Sequence, residues 1–71
     1  MFSYQPLMQL LAKKGMTTRE LMFLADISPN TMTKIRHDEE VSMSILTKIC
    51  SALKCSYGDI VEYTALESEV Q

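Results

Sequence analysis

An all-α fold of about five short helices is predicted by three observations. Apolar residues recur at helical spacing in separate stretches, capping residues stand in front of those stretches, and nothing alternates apolar with polar as a half-buried strand does. With 71 residues the chain makes a single module, since a second core would need about 50 residues of its own. At 46% hydrophobic it holds enough apolar side chains for an ordered core. The domain is predicted over residues 1–63, with an acidic, frayed tail over 64–71 that is short of bulky apolar groups.

The first helix is predicted from Tyr4, Leu7, Leu10 and Leu11, which share one face over about residues 4–14. Ser3 is the expected N-cap, Pro6 falls in the first turn where its missing N–H costs nothing, and Gly15 ends the helix. Thr17 and Glu20 fit a capping box that opens a second helix at Thr18. Its expected core face is Leu21, Leu24 and Ala25, and Asp26, which tolerates the left-handed conformation, ends it after two turns. Ser28-Pro29 is the sharpest start signal, a preferred cap followed by a preferred first residue. In the third helix Met32 and Ile35 point inward, leaving Asn30, Thr31, Thr33, Lys34 and His37 outside. After a solvated linker over Asp38, Glu39 and Glu40, Ser42 starts a fourth helix with Ile45, Leu46, Ile49, Cys50 and Leu53 inward. A second capping pair, Ser56 and Asp59, predicts a short fifth helix carrying Ile60 and Val61.

Composition narrows the function classes. No apolar run approaches the roughly 20 residues that span a bilayer, and no basic segment followed by an apolar one opens the chain, so a cytoplasmic protein without a membrane partner is expected. Cys50, Cys55 and His37 are too few for a four-ligand zinc site, so neither metal nor cofactor is expected, and the thiols are read as reduced. The two glycines, Gly15 and Gly58, stand too far apart for a phosphate loop, and one histidine is poor material for a general base, so no enzyme is expected. The net charge of −2 hides an asymmetry. Residues 1–37 carry Lys13, Lys14, Arg19, Lys34 and Arg36 against Glu20 and Asp26, while residues 38–71 carry seven carboxylates against Lys48 and Lys54. Only the first half suits a polyanion.

Two short helices joined by a tight turn, the second opening on Ser-Pro-Asn-Thr, are what a helix-turn-helix needs. Reading the major groove takes short polar groups near a helix N-terminus. Asn pairs with adenine N6 and N7, Lys donates to guanine O6 and N7, and Thr bonds either base or packs its methyl on thymine.

Here the sequence resembles the Cro and lambda-repressor-like (Xre-type) helix-turn-helix family, in particular its very short single-domain members. The resemblance is carried by Tyr4, Pro6-Leu7, Leu10-Leu11, Lys14 to Thr17, Glu20-Leu21, Ile27-Ser28, Asn30 to Met32, Lys34-Ile35, Glu39, Val41-Ser42 and Leu46. It continues through Lys48 to Cys50, Ala52-Leu53, Cys55 and Gly58 to Ile60, so it covers nearly all of residues 4–63. It implies a compact five-helix domain whose helices two and three form the motif, a DNA-binding transcriptional regulator, and a homodimer on a palindromic operator. Carried over by position, Asn30, Thr31 and Lys34 are implied to read base edges. Thr18, Arg19, Ser28, Thr33, Arg36 and His37 are implied to meet phosphates. Asp26 stands where the family's turn usually has glycine, Met22 where a small residue is usual, and Pro29 where relatives often carry a base-reading residue. For a dimer interface, Tyr57, Ile60, Val61 and Tyr63 are the expected apolar groups. The alternative from another class is a protein-interaction module of antitoxin or anti-repressor type that keeps the fold and uses the acidic half as its contact surface.

Overall fold

The computed structural model describes residues 2–63, in which four helices start at residues whose chemistry selects them. They are α1 (Gln5–Lys14), α2 (Thr18–Ala25), α3 (Pro29–Arg36) and α4 (Met43–Leu53). The Thr17 hydroxyl accepts from the Glu20 N–H at 3.1 Å while the Glu20 carboxylate accepts from the Thr17 N–H at 2.9 Å, so the predicted capping box opens α2. The Ser28 and Ser42 hydroxyls cap α3 and α4 by accepting from the N–H groups of Thr31 and Ile45. At α1 the expected cap is displaced by one residue. Tyr4 occupies the cap position, Ser3 Oγ accepts from the Gln5 N–H, and the Tyr4 N–H donates to Asp38 Oδ1 at 3.0 Å. Asp38 is thus more than a solvated linker residue, because its carboxylate holds the start of a helix 34 positions earlier in the chain.

All four helices end in one way. Gly15, Asp26, Asp38 and Lys54 each take a positive φ, between 53° and 66°. One residue further on, the N–H of Met16, Ile27, Glu39 and Cys55 donates back to the carbonyl of Leu11, Met22, Lys34 and Cys50, the six-to-one bond of a Schellman motif. Three of the four left-handed residues are not glycine, and each carries a steric cost for its Cβ. Asp26→Gly should therefore stabilise the domain by up to about 1 kcal/mol, read as a higher midpoint in urea unfolding. A lower midpoint would show that the Asp26 carboxylate contributes more than its backbone costs.

The helices enclose one core in which Tyr4, Leu7, Leu21, Met32, Ile35, Ile49 and Ile60 are the largest fully buried side chains. Leu24, expected on the core face of α2, is instead 53% exposed. Leu21 and Ala25, one turn apart, already fill the buried stripe of this eight-residue helix and leave Leu24 on its flank.

The fifth helix is reduced to a single 3₁₀ turn, Tyr57–Asp59. Asp59 Oδ2 accepts from both the N–H and the hydroxyl of Ser56, which closes the turn, and these bonds to the carboxylate hold its pKa below the ordinary aspartate value. Ile60 then turns fully into the core and its carbonyl accepts from the Leu7 N–H at 3.2 Å, which stops further helix and removes Ile60 from the candidate interface residues. The chain leaves extended. Strand β2 (Glu62–Tyr63) pairs antiparallel with β1 (Phe2–Ser3), Phe2 opposite Tyr63, an element absent from the all-α expectation because two residues are too few to show alternation.

Tyr4 joins three parts of this frame. Its ring is buried and meets Phe2 edge to face at 4.9 Å, and its hydroxyl donates to the Glu39 carbonyl at 2.9 Å. Burial pushes the phenol above the ordinary tyrosine value. A pKa raised in the folded state contributes stability that is present below the unfolded value of about 10 and is lost as pH climbs through the folded one. Urea melts across alkaline pH should show this loss, and Tyr4→Phe should blunt it at a cost of about 1 kcal/mol at neutral pH from the lost hydrogen bond. An unchanged alkaline profile in the variant would assign the loss to other groups.

Candidate nucleic-acid interface

The turn over residues 26–28 joins α2 to α3 and brings most of the implied contact residues onto neighbouring helix ends. Met32 and Ile35 face inward from α3 and are 2% and 0% exposed, so the opposite side of the helix is presented to solvent. That side carries Asn30 and Lys34, four residues apart and one above the other, with Thr33 and His37 beside them. The free N–H groups at the starts of α2 and α3 add fixed positive potential on top of Arg19, Lys34 and Arg36.

Within this set the side chains divide by what already holds them. The Ser28 hydroxyl accepts from the Thr31 N–H and donates to Thr31 Oγ1 at 3.0 Å, so its proton and one lone pair serve the helix start. Thr31 is half-buried in that cap and its oxygen accepts from Ser28, which leaves its methyl, its O–H and one lone pair uncommitted. Thr33 Oγ1 donates to the Pro29 carbonyl at 3.0 Å. Thr18 Oγ1 accepts from an Arg36 guanidinium N–H at 2.6 Å, a bond 18 residues long in sequence that ties the start of α2 to the end of α3. Arg36 is thereby fixed with donors to spare. Asn30 and Lys34 have no such partner among the described residues and keep all their donors and acceptors for a ligand.

One supporting contact escaped the sequence reading. Lys48 on α4 donates through Nζ to the Asp26 carbonyl at 3.4 Å, bracing the turn from behind. Its only trace in the sequence is a basic residue on the exposed side of an amphipathic helix, which is common.

A model of the Cro/C1-type HTH DNA-binding domain matches residues 7–65. The chain belongs to this family. The Cro/C1-type domain described here is also similar to the crystal structure of the transcriptional regulator VanUg, Form II. The two are 38% identical with a TM-score of 0.83, over 86% of this chain and 81% of that one. No curated protein matches the chain. No described helix is long and apolar enough to cross a membrane, and no described cluster of His, Cys, Asp and Glu is arranged to hold a metal ion.

Proposed function

We propose that this Cro/C1-type domain is a sequence-specific DNA-binding transcriptional regulator that lays the outer face of α3 in the major groove and acts by occupancy, without chemistry. The observation that carries the reading is the division of α3: Asn30 and Lys34 stand exposed and uncommitted, while Met32 and Ile35 anchor the same helix in the core. Asn30, Lys34 and the methyl of Thr31 meet base edges. Thr18, Arg19, Ser28, Thr33, Arg36 and His37 line the helix ends and meet phosphates through their side chains and the free amides of α2 and α3. Similarity to a transcriptional regulator supports the regulatory role.

A domain of this size covers one half-site. Two copies on a palindrome, their α3 helices about 34 Å apart, account for specific binding. Tyr63 and Tyr57, 67% and 43% exposed, are the aromatic groups at the C-terminal end of the described chain that a second copy would cover.

The test is selection of bound fragments from random duplex DNA, followed by a salt titration on the selected site. Two to four phosphates neutralised per domain by Lys and Arg side chains predict a slope of log K against log[salt] of about −2 to −4 per domain. A slope near zero, or no enrichment over heparin competition, would remove the DNA reading and leave the protein-interaction module in its place.

A further inference from the structure

The four Schellman ends bring two residues together through the backbone at each helix terminus, the residue that gives the carbonyl and the residue five positions on. At α1 and α2 the pairs are apolar, Leu11 with Met16 and Met22 with Ile27, and at α3 the pair is Lys34 with Glu39. At α4 both positions are cysteine. The Cys50 carbonyl accepts from the N–H groups of both Lys54 and Cys55, the latter at 3.1 Å, with Lys54 at φ 53° forcing the chain back over the helix end. Both cysteines are free and half-buried. Burial and the neighbouring Cys50 raise the Cys55 thiol above its ordinary value, and Lys14 opposes this. The 3.1 Å backbone bond from Cys55 to Cys50 folds the two residues back on each other, the proximity that a disulfide demands of its two backbone positions.

We propose that Cys50 and Cys55 are a redox pair that a small-molecule disulfide closes into an intrachain bond within the folded domain. The steps balance without any group beyond that oxidant. The Cys50 thiolate attacks one sulfur of the disulfide, forming a mixed disulfide and releasing one equivalent of thiolate. Cys55 then gives its proton to solvent and attacks the Cys50 sulfur, closing the Cys50–Cys55 bond and expelling the second equivalent. The pair loses two electrons and two protons, and the small disulfide becomes two thiols. Desolvation and the neighbouring Cys50 sulfur hold the Cys55 thiol above its ordinary value, so the closing step quickens as pH rises toward that value.

The test equilibrates the 71-residue chain against buffers of oxidised and reduced glutathione, quenches in acid, alkylates the remaining thiols and weighs the intact protein. The expected product is a monomer two hydrogens lighter, carrying no glutathione and keeping the helical far-ultraviolet signal. It should form at a ratio of oxidised to reduced glutathione at least about tenfold lower in the folded chain than in the same chain under denaturing urea. In Cys55→Ser the reaction should stop at a glutathione adduct on Cys50. Equal ratios in native and denatured chains, persistent adducts on the unsubstituted protein, disulfide-linked dimers, or loss of the helical signal on oxidation would each overturn the proposal.

Discussion

Ile35→Ala should destabilise the domain by about 2 to 5 kcal/mol, the largest effect expected of any single change on α3. Ile35 is 0% exposed, so the truncation removes buried apolar atoms and leaves a cavity. The residues beside it cannot close that space freely. Met32 is held by the Ser28 cap at the helix start, and Tyr4 is held by its bonds to Asp38 and Glu39 just past the helix end. Domains of this length have total stabilities of only about 4 to 10 kcal/mol, so the variant should sit near or past its midpoint at 37 °C. Ile35→Val, which removes one methylene, should cost about 0.5 to 1.5 kcal/mol. Urea unfolding followed by circular dichroism measures both. A loss under 1 kcal/mol for the alanine variant would mean that α3 is held to the body by something other than this core contact. At low temperature, the folded fraction of Ile35→Ala should bind DNA as the parent does, because none of the exposed α3 groups has changed.

What could be read from residues alone followed the range of the interaction that decides each feature. The starts of α2, α3 and α4 were legible because Thr17 with Glu20, Ser28 with Pro29, and Ser42 act on amides three positions away. The left-handed end at Asp26 was legible because it closes the short α2 just before the Ser28-Pro29 start signal, whereas Asp38 sits in a run of acidic residues that reads as a solvated linker and Lys54 is not a residue that favours this conformation. Contacts that join distant parts of the chain left no local sign. The Tyr4 amide meets Asp38 across the three helices between them, the β1–β2 pair joins the two ends of the described chain, and Leu24 is exposed because its neighbours took the buried stripe. The site divides likewise. The residue types on the outer face of α3 follow from helical spacing, but which hydroxyls are already committed does not. Thr31, Thr33 and Thr18 look alike in sequence. One is bonded into a cap, one to its own helix backbone and one to Arg36.

That last distinction separates base reading from backbone positioning, and the two should fail differently. Asn30→Ala or Lys34→Ala removes an exposed group that bonds nothing among the described residues, so folding stability should stay within about 0.5 kcal/mol of the parent. Binding to the selected operator should weaken by about 1 to 3 kcal/mol, roughly 5- to 150-fold, with the preference flattened at one base pair and little loss on scrambled duplex. Thr18→Val keeps the side-chain shape but withdraws the oxygen that accepts from Arg36. Both its own phosphate contact and the fixed position of the Arg36 guanidinium are then lost, and neither depends on sequence. Affinity should fall by similar factors on operator and scrambled duplex, with a shallower salt slope. The measurement is fluorescence anisotropy of each variant on both duplexes at fixed salt. Equal losses on the two duplexes for Asn30→Ala and Lys34→Ala would take those residues out of base reading. An operator-selective loss for Thr18→Val would place the start of α2, with Arg36 beside it, among the groups that read sequence.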